Sequence, residues 1–483
     1  MAERNLTMMT DLYQLTMMYG HYLRGTDEEA VFDLFFRRTA SNSSYALVAG
    51  LQQAIEYINN LRFEEEDIRY LDSLHLFNQG FLDTLRHMRF TGDLYAIPEG
   101  TPVFPGEPLL RIKAPIMQAQ LVETALLTLI NHQTLIATKA SRVCYAAGKE
   151  GSVLEFGLRR AQGPDAGIYG ARAAIIGGCV GTSNVLTGQL YDVPVSGTHG
   201  HSWVMSFDSE LEAFRAYAEA YPDACLLLVD SYDTLRSGVP NAITVFKELR
   251  EKGHEPLGIR LDSGDLAYLS KKARAMLDEA GFPNAKIVAS SDLDEEIIAD
   301  LRSQGARIDT WGVGTKLITS ENYPSLGGVY KLSALERDGK MLPRIKLSDN
   351  EAKITNPGYK TVYRIYDKRT HKAMADLICL ADEQYDESKP LTIFDPNETW
   401  KKMTLTHYTM RELLVPVFVR GQQVYQSPTL KQIQAYAAKE LDCFWDEYKR
   451  LRKPHIYKVD LSQPLYVLKQ KLIAKYSGHS VGE

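Results

Sequence analysis

Between positions 185 and 332 the chain alternates short, continuous apolar runs with amphipathic stretches, and this alternation restricts the fold more than any other feature. The runs are LLLV (226–229), LGIRL (257–261), KIVAS (286–290), IDTWGVG (308–314) and GVYKL (328–332). Strands that are apolar throughout, rather than at every second residue, are covered on both faces. The stretches between them, such as VPNAITVFKELREKG, DLAYLSKKARAMLDEAG and DEEIIADLRSQG, each close at or near a glycine, the usual end of a helix. Strand and helix in alternation predict a parallel sheet. Units of about 20–30 residues suit a β/α barrel or a doubly wound sheet.

The flanking segments differ. Before position 140, helix-like stretches (51–61 and 116–138) mix with β-like segments such as VFDLFF, and the Pro- and Gly-punctuated run 97–115 reads as hairpin-rich. After position 332 the pattern turns to β and loop, then to a charged helical stretch over 429–475. The expected organisation is an N-terminal α/β domain (1–140), a β/α barrel (141–335) and a C-terminal region (336–483) that packs back on the first.

With 483 residues a core of ordinary size is assured, and a net charge of −6 offers no broad basic surface for nucleic acid or an anionic membrane. Five scattered cysteines without a C-x-x-C pair suit a reducing compartment. Asp11 interrupts any apolar leader, and Glu123, Asn131 and His132 break the best apolar stretch (121–137), so the expectation is a cytoplasmic protein.

In a parallel β/α architecture, chemistry gathers at the C-terminal ends of the strands. DSYDT follows the first run (Asp230, Asp233), DSGD the second (Asp262, Asp265) and SSDLDE the third (Ser290, Ser291, Asp292). Such residues are preferred helix N-caps, so capping and ligand binding stand as equal readings at each strand end. Arg260, inside a strand, needs a partner or ligand to offset the cost of burying its charge. Gly314 and Thr315, in WGVGT, resemble a phosphate cradle of backbone N–H groups and a hydroxyl. His199 and His201 in SGTHGHSW would share one face of an extended segment, either as a structural pair or with one serving as a nucleophile oriented by Asp230. No further His or Cys stands nearby with zinc spacing, so no metal ligand is assigned. Arg159 and Arg160 read either as bidentate anion donors or as a solvated edge.

Eight blocks in order carry a resemblance to the nicotinate phosphoribosyltransferases over most of the chain. They are TDLYQLTM (10–17), FDLFFR (32–37), EFGLRRAQGPDAG (155–167), SNVLTGQL (183–190), GTHGHS (197–202), DSYDTLRSG (230–238), GIRLDSGDL (258–266), and VGTK (313–316) followed by GGVYKL (327–332). The resemblance implies an N-terminal α/β sandwich domain, an incomplete parallel β/α barrel, and a homodimer with a shared active site. It implies that ATP phosphorylates His201, that Asp230 supports that histidine, and that Gly197 and Thr198 lie near the pyridine ring. Tyr13 would stack on nicotinate from the neighbouring subunit, and Arg159 and Arg260 would line the substrate pocket. Asp262 would meet the ribose hydroxyls, and Gly314 with Thr315 the 5-phosphate. His199 matches a variable position and receives no role.

The implied substrates are nicotinate, phosphoribosyl pyrophosphate and ATP, with Mg2+ on the pyrophosphate. The nearest rival, nicotinamide phosphoribosyltransferase, places an aspartate where Ser183 stands here, and a carboxylate there would repel nicotinate. Quinolinate phosphoribosyltransferase, shorter and without ATP, fits less well. A silent phosphosugar-binding scaffold would not be expected to retain His201, Asp230, Arg260 and Asp262.

Overall fold

Four of the five apolar runs form the parallel sheet that their composition predicts. In the computed structural model, which describes residues 5–39, 43–349 and 353–477, this sheet has six strands. They are β1 (Ser152–Glu155), β2 (Gly181–Thr182), β3 (Leu226–Leu228), β4 (Gly258–Leu261), β5 (Lys286–Ala289) and β6 (Thr310–Val313). Their spatial order is β2-β1-β6-β5-β4-β3, with every pairing parallel. The first strand thus pairs with the last, from Ser152↔Thr310 to Glu155↔Val313. That pairing wraps a sequential sheet onto itself, as a barrel requires, and leaves one seam between β2 and β3. The barrel is incomplete, as expected.

Between the strands run helices Pro164–Ile176, Glu210–Ala220, Val239–Glu251, Leu266–Glu279 and Glu295–Ser303. Gly238 lets the helix after β3 approach its strand, since a Cβ there would lie 1.8 Å from the Val229 carbonyl oxygen. Residues 136–324 form one compact unit around this sheet.

The fifth run departs from the expectation. GVYKL lies in Gly328–Arg337, a strand that pairs antiparallel with Glu29–Phe36 and takes no part in the parallel sheet. Its partner lies about 300 residues away in sequence, which no local pattern reports. The parallel sheet instead contains β1, whose SVLE sequence is polar at both ends, and β2, which has only two residues.

The second unit combines residues 1–135 with 325–483. Its seven-stranded antiparallel sheet interleaves both chain segments. Gly328–Arg337 lies beside Glu29–Phe36, and Val415–Val419 beside Asp93–Ala96. Ala30, Phe32, Leu34 and Phe36 point into the core, where Phe32 stacks on Tyr330 with ring centroids 4.8 Å apart. Asp33, on the opposite face, forms a buried ion pair with Lys360 at 2.7 Å.

A four-stranded sheet (Tyr408–Glu412, Lys360–Asp367, Ala373–Leu380, Val459–Leu461) completes the unit. The charged C-terminal stretch, read as helical, is interrupted by the last of these strands. Arg364 is wholly buried and donates from Nε to Asp376 Oδ1 (2.9 Å) and from Nη2 to Asp376 Oδ2 (2.6 Å). Tyr457 donates its hydroxyl to the same carboxylate at 3.0 Å. Cutting one side of such a pair strands a buried charge, so Arg364→Met should lower unfolding free energy by about 3–5 kcal/mol. Urea denaturation measures this, and an unchanged midpoint and slope would refute it.

Candidate active site

Each of three strand ends carries acidic or hydroxyl residues in pairs, and the structure divides each pair between two tasks. The downstream member caps the following helix. Asp233 accepts from the N–H groups of Leu235 and Arg236, Asp265 from that of Tyr268, and Asp294 from those of Glu296 and Ile297. The upstream member, Asp230, Asp262 or Ser290, caps nothing and turns to its neighbours. Asp230 Oδ2 accepts from the Asp262 backbone N–H (2.8 Å) and the Ser263 hydroxyl (2.6 Å), and Ser290 donates its hydroxyl to Asp262 Oδ1. Capping therefore falls to the downstream residue at each strand end, and the upstream residue takes no part in it.

His201 opens the short helix His201–Met205. Its Nδ1 lies 3.1 Å from Ser231 Oγ and its Nε2 3.7 Å from Asp262 Oδ2. Asp230 approaches His201 through Asp262 and makes no direct hydrogen bond to it. Its other oxygen, Oδ1, is buried without a hydrogen-bond partner. Ser231 received no role in the sequence, although it stands inside the quoted DSYDT block.

Arg260 projects from β4, half-buried. Burial works against its charge, while Asp262 and then Asp230 support it. Nη2 donates to the His199 carbonyl at 3.2 Å, and Nε is buried with no hydrogen-bond partner. Arg159 is close enough for its like charge to act on Arg260, and it is exposed in the turn Leu158–Arg160 after β1. Two cations thus share this end of the sheet.

Ser183 follows β2, half-buried, with its N–H bonded to the Glu155 carbonyl at 2.9 Å. Its neighbours are immobilised. Thr182 donates to the buried Glu155 carboxylate (2.6 Å), and Asn184 caps the helix Val185–Tyr191. Burial, first of all, pushes the Glu155 carboxyl upward, against hydrogen bonds from Thr182 and the Gly157 N–H. Gly197 and Thr198 lie in the loop before His201, and Thr198 donates to the His199 carbonyl at 3.2 Å. Gly314 and Thr315 stand at the end of β6, where Thr315 begins the turn Thr315–Ile318. Lys316 is held by Asp294 at 3.1 Å.

Tyr13 belongs to the other unit, in the helix Leu12–Arg24. It is 47% exposed, and its hydroxyl is held up to about 12, first by partial burial and then by Glu123.

His199 is buried among aromatic rings, 4.7 Å from Tyr217 between centroids. Burial pushes its imidazole from the ordinary 6.5 down to about 4, so it is neutral at pH 7. Proton binding therefore opposes the fold. The stabilisation from the neutral ring is full above pH 6.5 and is lost as pH falls toward 4.

An incomplete β/α barrel with carboxylates, paired cations and a Gly-Thr turn at its strand ends is the arrangement that the resemblance noted in the sequence implies. Comparison with known proteins agrees. Three models match in succession: the nicotinate phosphoribosyltransferase N-terminal domain at residues 8–131, the family proper at 152–377 and the C-terminal domain at 359–469. A nicotinate phosphoribosyltransferase of Bacillus subtilis is 50% identical over 472 residues, 98% of this chain and 96% of the relative. The Homo sapiens nicotinate phosphoribosyltransferase is 34% identical, with 97% of each chain covered. The crystal structure of human nicotinic acid phosphoribosyltransferase superposes with a TM-score of 0.85 at 33% identity, covering 96% of this chain and 99% of that one. The chain belongs to the nicotinate phosphoribosyltransferase family.

Proposed function

We infer that this chain joins nicotinate to phosphoribosyl pyrophosphate, yielding nicotinate mononucleotide and pyrophosphate, with ATP as co-substrate. It performs the first step of NAD salvage from nicotinate. Beyond family membership, the observation that carries this reading is the buried, unpartnered Nε–H of Arg260 in the same cluster as Asp230 and Asp262. A planar carboxylate satisfies such a donor, and Arg159 adds a second positive charge.

The pyridine nitrogen attacks the anomeric carbon as pyrophosphate departs, and positive charge builds on the ribose. Asp262 meets the ribose hydroxyls and stabilises that charge, while Asp230 holds Asp262 through its backbone N–H. Gly314 and Thr315 receive the 5-phosphate with first-turn N–H groups and a hydroxyl. Gly197, Thr198 and Ser183 border the ring. His201 accepts phosphate from ATP, and the added negative charge couples ATP cleavage to tighter substrate binding.

Mg2+ fits as an ion carried by the pyrophosphate. Among the described residues no group of three or more His, Cys, Asp or Glu could cage a metal, and Mg2+ commonly keeps its waters while touching one or two carboxylates. Asp230 and Asp262 are the carboxylates that would meet it, and Asp230 Oδ1 has no hydrogen-bond partner. Bound there, it would neutralise charge on the leaving group.

The working form is a homodimer, with Tyr13 stacking on nicotinate across the interface. Leu12, Tyr13 and Met17 are exposed on one helix, while Leu15 and Met18 of the same helix are buried. Among the described residues no helix is long and apolar enough to cross a membrane, and the cytoplasm is the proposed compartment.

Incubation with ATP and Mg2+ should place acid-labile, base-stable phosphate on the protein, and His201→Ala should take up none. Labelling of that variant at the wild-type level would remove His201 from the reaction. Ser183→Asp should lose nicotinate activity by at least about tenfold, roughly 1.4 kcal/mol, through repulsion of the substrate carboxylate. Pyrophosphate release is the readout, with nicotinate and nicotinamide compared. Wild-type turnover and KM in the variant would show that Ser183 does not face the ring. Sedimentation at assay concentration should give a dimer, and a fully active monomer would exclude a shared site.

A further inference from the structure

The barrel seam between β2 and β3 leaves β3 as an edge strand, with one row of backbone groups facing away from β4. The ladder to β4 uses Cys225 and Val229, as Gly258 N–H donates to the Cys225 carbonyl and Val229 N–H to the Arg260 carbonyl. The Leu228 N–H, one residue out of phase, points to the open side. Leu228 is wholly buried, so an unmet N–H there would carry a full desolvation cost. His199 meets it: Nε2 accepts the Leu228 N–H at 3.2 Å, from a residue 29 positions earlier. Nδ1 faces the Gly200 carbonyl at 3.5 Å, which suits the tautomer with the proton on Nδ1 and the lone pair on Nε2.

We propose that His199 is a positioning residue, a neutral imidazole that substitutes for the missing strand at the seam and fastens the GTHGH loop to the edge of β3. The proposal rests on the reading of His201 as the phosphorylated residue. His201 lies two positions after the fastening point, and Asp230 two positions after Leu228. The single hydrogen bond therefore sets the register between loop and strand end, and with it the 3.1 Å approach of His201 to Ser231. The His199 carbonyl also accepts from Arg260 Nη2 at 3.2 Å, so the same residue orients the cation assigned to nicotinate. A side chain at 199 must offer a neutral acceptor at imidazole reach. Lys and Arg have none, and Leu leaves the Leu228 N–H orphaned.

The test separates acceptor from bulk. His199→Leu should label His201 from ATP more slowly by about tenfold or more, with kcat falling in parallel, whereas His199→Gln should stay within about threefold of wild type. In the wild type, nitrogen NMR should show His199 Nε2 unprotonated at neutral pH, and the Leu228 amide should resist hydrogen exchange although it faces the sheet edge. That protection should disappear in folded His199→Leu and persist in His199→Gln. Wild-type labelling and kcat in His199→Leu would overturn the proposal, as would a protonated Nε2 or a freely exchanging Leu228 amide in the wild type. The NMR measurements need no variant to fold. They also stand apart from catalysis: if His201→Ala labels normally, the functional reading fails while the Leu228 amide still reports on the fastening.

Discussion

Pairing of β1 with β6 is the constraint on which the functional unit depends. It brings the first and last parallel strands together, bends the sheet into an open barrel and gathers strand ends that lie far apart in the chain. Glu155 and Val313 become neighbours, so the turn carrying Arg159 and the turn carrying Gly314 and Thr315 leave the sheet side by side. Without this closure the two would stand at opposite edges of a flat sheet.

Closure also determines where the barrel stays open. A parallel sheet satisfies its backbone groups only between neighbouring strands, so the seam exposes the outer edge of β3. The chain meets part of that demand with the loop that carries His201, tying the geometry of that loop to backbone satisfaction. A closed barrel would need no such loop, and the loop would then lack its anchor on β3.

The polar residues of the candidate site stood out in the sequence because acidic residues directly after apolar strands are costly unless they cap, bind or react. What could not be read was which member of each pair did which task. Asp230 and Asp233 look alike in DSYD, as do Asp262 and Asp265 in DSGD. Helix geometry decides, because only the residue directly before the first helical turn can reach its N–H groups. Ser231 and His199 were missed for a related reason. Their partners, His201 and Leu228, lie 30 and 29 residues away, and nothing in the local pattern marks such pairings.

Local patterning was enough to establish the parallel architecture and the polar residue types at its strand ends. These follow from local periodicity, capping chemistry and the cost of burying charge, all of which act over a few residues. Long-range pairing settled which strands close the barrel, that GVYKL joins an antiparallel sheet beside Glu29–Phe36, and that His199 accepts from the Leu228 N–H at the edge of β3. Each of these is a pairing of backbone groups between distant segments. Backbone N–H and C=O groups are the same in every residue except proline, so the side-chain sequence carries no direct record of which ones meet.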